Sequence, residues 1–311
     1  MSTKPQRVRP DRDWEHYELH RRVRESLIAL PAYFHTETHV VGLSATDVFT
    51  LGAVLGAAIE EQVVETLNRM RPVWDPDEEY LAYSFVRQSQ AFPDILLMNG
   101  RRRTDRTDIV MGIELKGWYL LAKEGEPSFR YKVTPEACEP QDLLVVVPWI
   151  LSDVISGTPK ALEPYIESAR YAAEYRNYYW QELRHTTTDT RIVPPADCCP
   201  YPSAREESQD RPAHDSGGNF GRIARTGLMD RYVADMDEAA VRGIAAKYWR
   251  AFFSAFQYED RPEQIRGALD NLADEVVADL PERSDFDTER FRELLFELFL
   301  VVCGSSKSPA D

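Results

Sequence analysis

Residues 143–151, an apolar run dense in valine, constrain the fold of this chain more than any other stretch. Such a run reads as a buried strand, because a strand covered on both faces loses the polar alternation of a half-exposed one. Neighbouring stretches supply the rest of a sheet. Residues 82–88 and 93–98 read as strands, and Asn99-Gly100 with an arginine cluster as the turn that follows. Residues 108–121 read as a long strand carrying Ile109, Val110, Ile113, Trp118 and Tyr119. A polar helix is expected over 13–30, with Leu19, Val23, Leu27 and Ile28 on one side. The stretch Ser44-Ala45-Thr46-Asp47 reads as helix-start chemistry, since side-chain oxygens there can accept orphan backbone N–H groups. The helix it opens is expected over 48–70, with Pro72 and Pro76 ending it. Residues 162–184 read as an aromatic helix in which Tyr165, Tyr171, Tyr175, Tyr178, Tyr179 and Trp180 pack into a core or interface.

This order predicts an α/β fold with a central mixed β-sheet flanked by helices and with helical additions at both ends. Residues 186–221 are rich in Pro, Asp, Ser and Gly, and a loop of that length is either disordered or functional. Helical periodicity returns over 236–303, broken at Pro262 and Pro281. The expected divisions are an N-terminal helical extension (1–45), a core (46–184), a flexible loop (185–225) and an acidic C-terminal helical region (226–311).

With 311 residues, 43% of them hydrophobic, the chain has ample material for a core. Its net charge of −15 argues against a protein that merely coats nucleic acid, yet leaves room for an enzyme that holds DNA in one groove. The charge is uneven: residues 257–311 carry 14 acidic and 6 basic side chains, the first 110 residues 17 and 14. The polar N-terminus shows no signal peptide, and the longest apolar run, 48–59, is too short to span a bilayer and holds two glycines. Four cysteines without regular spacing point to a reducing compartment, so the expectation is a cytoplasmic protein with no membrane partner. His35-Thr36-Glu37-Thr38-His39 puts its glutamate one place late for a zinc-protease helix. No Walker loop, Gly-x-Gly-x-x-Gly or Gly-x-Ser-x-Gly occurs.

Chemistry concentrates in two places, Phe92-Pro93-Asp94-Ile95-Leu96-Leu97 and Met111-Gly112-Ile113-Glu114-Leu115-Lys116-Gly117. In a strand, side chains alternate, so Ile109, Met111, Ile113 and Leu115 share one face and Val110, Gly112, Glu114 and Lys116 the other. A charged pair within an otherwise apolar strand is costly unless something uses it. Asp94 opens the preceding strand, so pairing of the two strands would bring it near Glu114. Two carboxylates and an ammonium at one spot suit metal-dependent phosphodiester hydrolysis. The bland alternative is a solvent-facing Glu/Lys pair on an edge strand. It explains less well why Gly112 and Gly117 bracket the pair, leaving room for close approach.

Pro93-Asp94 followed by Glu114-Leu115-Lys116 resembles the signature of the PD-(D/E)XK nuclease superfamily, whose restriction-endonuclease-like core sets a helix before such a sheet. The likeness covers roughly residues 50–152 and extends to type II restriction endonucleases. It implies that Asp94, Glu114 and the Leu115 carbonyl bind Mg²⁺ and that Lys116 assists the attacking water. It implies cleavage of double-stranded DNA to 5′-phosphate and 3′-hydroxyl ends, with a homodimer as the simplest duplex cutter. Many members also use a glutamate on the helix before the sheet, and Glu60, Glu61 and Glu65 are candidates here. Leu55, Ile59, Val63, Thr66, Leu67 and Met70 define the apolar stripe, with Glu60 at its margin and Glu61 and Glu65 far round, so Glu60 is preferred. Arg101, Arg102, Arg103 and Arg106 in the turn, Lys123, Arg130 and Lys132 after the long strand, and Arg222 with Arg225 beyond Asn219-Phe220-Gly221 could meet the DNA backbone. Each is also readable as a solvated loop or exposed basic turn that needs no partner.

Overall fold

The computed structural model of the chain describes residues 3–7, 9–88, 91–100, 108–215, 217–258, 261–279 and 287–305. It is an α/β fold with a central mixed sheet. Three helices come first: α1 (Tyr17–Tyr33), α2 (Leu51–Arg69) and the short α3 (Arg71–Trp74). The sheet follows, as β1 (Tyr83–Arg87), β2 (Ile95–Asn99), β3 (Ile109–Tyr119), β4 (Leu143–Leu151), β5 (Pro159–Ala161) and β6 (Tyr165–Ser168). β1, β2 and β3 are antiparallel neighbours, and β3 runs parallel to β4. β5 and β6 both pair antiparallel with β4, along its edge away from β3.

β4 is buried at every position, as its composition requires. On one face of the sheet, Ile113, Leu115, Val145 and Val147 pack against Leu19, Val23 and Leu27 of α1 and Val63 and Leu67 of α2. On the other, Leu144 and Val146 pack with Ala169, Ala172 and Ala173 of α4 (Ala169–Tyr178). The same core takes in Phe253 and Phe299 from α6 (Ala246–Ala255) and α8 (Thr288–Ser305). α5 (Asp230–Asp237), α7 (Pro262–Asp279) and two small hairpins complete the described fold: β7 (Ile192–Val193) with β8 (Arg211–Pro212), and β9 (Ala240–Val241) with β10 (Ile244–Ala245). Among the described residues no helix is long and apolar enough to cross a membrane.

Four local departures from the sequence reading have physical causes. A bulge lies where β2 meets β3, with Leu97 opposite Met111 but Met98 opposite Ile109. The extra residue, Val110, turns its side chain to the same core as Met111, so the expected face assignment reverses at 109 and 110. The helix expected over 48–70 begins as a tight 3-10 turn, Ala45–Thr50, before α2. Residues 165–168 are a strand rather than the start of the aromatic helix, and Ser168 then caps α4 by accepting from the Tyr171 amide at 3.3 Å. Ile28, expected on the inner side of α1, is 53% exposed, and His20 and Ser26 are buried instead.

Residues 185–215 and 217–225 carry little regular structure yet are tied to the core by several side chains and by backbone bonds to residues 131–134. Tyr201 donates to the Asp142 carboxylate at 2.9 Å, Asp210 pairs with Arg176, and the Phe220 side chain is fully buried. The segment therefore crosses the molecule as a strap.

Candidate active site

The β2–β3 ladder ends at Ile95 opposite Ile113. Beyond that point carboxylates take over from backbone carbonyls. The Leu115 amide donates to Asp94 Oδ2 at 3.1 Å, and the Asp94 amide donates to Glu114 Oε2 at 3.3 Å. Two residues further along the same edge of β3, the Gly117 amide donates to Glu60 Oε1 at 3.2 Å. Glu60 reaches it from α2, the helix packed on β3. An exposed strand edge needs partners for its amides, and these acids supply them.

Asp94 is held from behind as well. Gln88 donates from its amide to the Asp94 carbonyl at 2.7 Å and from its side chain to the Pro93 carbonyl at 2.8 Å. The Pro93 ring lies directly over Gly112, where a Cβ would come within 2.3 Å of Pro93 Cγ. Gly112 thus makes room for the turn that delivers Asp94. Gly117, its counterpart, would place a Cβ no nearer than 3.7 Å to any neighbour, so its backbone donor matters more than its size.

Lys116 closes the cluster. Its Nζ lies 2.8 Å from Asp94 Oδ2 and 3.0 Å from Glu114 Oε1. Glu114 is the most enclosed of the three, its side chain 11% exposed against 21% for Lys116 and 33% for Asp94. Burial pushes the Glu114 carboxyl up to about 7, the neighbouring ammonium opposing and Asp94 assisting. Burial also works against the Lys116 charge, but Glu114 and Asp94 outweigh it and hold that pKa above the usual lysine value. Glu60 is raised by burial, with the Gly117 N–H pulling the other way.

The structure therefore brings Asp94, Glu114, Lys116 and Glu60 to one edge of β3. In an extended strand the N–H and C=O of one residue lie on the same edge, so the Leu115 carbonyl opens there too. Among the described residues no cluster of three or more His, Cys, Asp or Glu side chains sits close enough to hold a metal. Any ion would rest on Asp94 and Glu114, with the Leu115 carbonyl on their edge. That donor set is small and hard. It suits Mg²⁺, which accepts one or two carboxylates and fills its remaining places with waters and phosphate oxygens.

The other basic residues are dispersed. Arg222 and Arg225 share one carboxylate, Glu126, at 3.5 and 2.5 Å, and Arg225 also donates to Asn219 Oδ1 at 3.1 Å. Their loop is ordered by the protein itself, with the Tyr131 amide donating to the Gly221 carbonyl at 2.8 Å. The Arg130 guanidinium lies against Gly218, and Lys123 donates to Gln257 at 2.7 Å. Arg101, Arg102, Arg103 and Arg106 lie outside the described residues.

Sequence reasoning missed two residues near the site. Arg87, at the end of β1, lies 3.9 Å from Glu60 Oε2, and nothing in a strand-terminal arginine marks that. Asp142 accepts from the Gly112 amide at 2.6 Å and so braces the strand that carries Glu114. Its position just ahead of the apolar run carries no mark of that role. Comparison of the chain with family models, curated proteins and solved structures finds no match.

Proposed function

We propose that this chain is a Mg²⁺-dependent DNA endonuclease of the PD-(D/E)XK type, built on a restriction-endonuclease-like core and working in the cytoplasm. One observation carries the reading: Asp94 and Glu114, from the paired strands β2 and β3, converge on Lys116 Nζ at 2.8 and 3.0 Å. Asp94, Glu114 and the Leu115 carbonyl would hold the ion. Bound Mg²⁺ supplies a water of lowered pKa and offsets charge on the scissile phosphate. Asp94 stays aimed because its carboxylate is pinned to the Leu115 amide. Lys116 is the donor that meets the attacking water or a phosphate oxygen as the negative charge builds. Glu60 acts from the rim, anchoring α2 to the strand that carries the pair. The products would carry 5′-phosphate and 3′-hydroxyl ends. A single cluster cuts one strand, so cleavage of a duplex calls for a two-fold homodimer.

The test is digestion of double-stranded DNA, modified and unmodified, with Mg²⁺ and in chelator. Asp94→Asn and Lys116→Ala should each lower cleavage by about a hundredfold or more. Absence of Mg²⁺-dependent cleavage of any DNA overturns the enzyme, and undiminished activity in both variants overturns the site.

One observation favours a second reading. Asp94 and Glu60 already serve the Leu115 and Gly117 amides, a task that needs no substrate. A non-catalytic nucleic-acid-binding or protein-interaction scaffold would use them in that way alone. It would bind without cleaving and be indifferent to Lys116→Ala.

A further inference from the structure

A second concentration of charge lies away from the carboxylate cluster. A cavity of about 440 Å³ opens between the N-terminal segment, α1 and β6. Arg7, Arg9, His20, Arg21 and Arg24 line it, against a single carboxylate, Glu167. β3 and β6 pair with opposite edges of β4, so that buried strand stands between this cavity and Lys116.

The charges in the cavity do not balance. Arg7 donates to Glu167 at 2.9 Å, and Arg21 turns to Glu18 and Glu25 on its own helix. Arg9 and Arg24 form no ion pair or hydrogen bond among the described residues. Burial lowers the Arg24 pKa; Glu167 opposes this, and a smaller repulsion from Arg9 adds to it. His20 is 6% exposed, its ring held to the Gln141 backbone and its Nε2 fully enclosed. Burial and the neighbouring Arg24 push the imidazole down to about 4, with the Gln141 backbone opposing. Two guanidinium groups that repel one another across one cavity, one of them half-buried, favour an anion between them. Guanidinium forks match the oxygens of a phosphate two at a time.

We propose that this cavity binds the terminal phosphate of a small phosphorylated ligand of nucleotide size, held by Arg9 and Arg24. Its volume falls in the range of small-molecule sites, about 300–1,000 Å³, and excludes a duplex. Tyr17 and Tyr165 line the same walls. The site stands whether or not the β3 cluster cleaves DNA.

The full chain is titrated with inorganic phosphate, a nucleoside 5′-monophosphate, the unphosphorylated nucleoside and a short DNA duplex, by calorimetry and by proton NMR of the His20 ring. The monophosphate should bind, phosphate should compete with it, and the nucleoside should not bind. The His20 pKa should rise from about 4 when the phosphate probe is present. Arg9→Gln and Arg24→Gln should each weaken monophosphate binding about tenfold or more. Glu167→Gln, which frees Arg7 and removes the one negative charge, should tighten it. Arg9 is exposed, so its substitution keeps the test decisive if the half-buried Arg24 variant fails to fold. Failure of both phosphate probes to bind, unchanged affinity in Arg9→Gln, or binding of the duplex alone overturns the proposal.

Discussion

At Gly112 a hydrogen stands in for a side chain because Pro93 and Asp142 already fill the space, the latter with an oxygen 3.1 Å from where a Cβ would be. Asp142 is the less obvious partner. Its carboxylate accepts from the Gly112 amide, the Tyr201 hydroxyl and the Glu139 amide at 2.6, 2.9 and 2.8 Å. Burial nevertheless dominates and raises its pKa from 3.8 to about 7. The unfolded chain gives up this proton near 3.8, whereas the fold keeps it to about 7. Between those values the native state binds the extra proton, so this contribution to stability is complete at low pH and is lost as pH rises through about 7. Asp142→Asn should flatten that decline. Urea unfolding from pH 4 to pH 8 should show the variant gaining on the wild type as pH rises, and parallel profiles would count against the assignment. Burial raises Glu114 in the same direction, so some slope survives in the variant. The contrast with Lys116 is instructive. Glu114 and Lys116 could be placed together from the sequence because strand alternation fixes which face each takes. The role of Asp142 could not, since its partners Gly112 and Tyr201 lie 30 and 59 residues away.

Among the elements, β4 was legible to its ends because burial on both faces leaves a run of apolar letters. The short β6 was hidden because its tyrosine and isoleucine continue without a break into the aromatic helix behind it. The strap was half legible. Its composition gave the lack of regular structure, but not that Arg176 and Asp210 would meet in the interior, each 1% exposed as a side chain. Arg176 also donates to the Tyr131 and Val133 carbonyls at 2.7 and 2.9 Å, and its guanidinium lies over the Phe220 ring. Removing Asp210 would leave that guanidinium buried without its counter-charge. Asp210→Ala should therefore cost about 3–5 kcal/mol in denaturant unfolding. A loss within about 0.5 kcal/mol, as for an ordinary surface change, would mean that the strap is not anchored there.

Over the whole molecule, the charge of −15 sets how a polyanion can approach. Much of the excess lies in residues 257–311, where arginines already serve neighbouring acids, as Arg292 does Asp274 and Glu289. At the β3 edge the balance is different: Asp94, Glu114 and Glu60 face a single lysine, with Arg87 at 3.9 Å from Glu60. A phosphate backbone brought there without a further cation meets net repulsion. Duplex binding should accordingly be about tenfold or more tighter in Ca²⁺ than in chelator, read by fluorescence anisotropy. Equal affinity in the two conditions would refute this electrostatic account.

The amides of Leu115 and Gly117 that hold Asp94 and Glu60 have one more consequence, for heredity. A side-chain donor can be deleted by a single codon change, but a main-chain N–H is present in every residue except proline. The donors that orient both acids therefore do not depend on which side chain occupies 115 or 117. Apolar variation at 115 can retune the packing beneath the strand while the N–H stays. A side chain longer than Cβ at 117 would press on Glu60, and proline would remove the donor at either position.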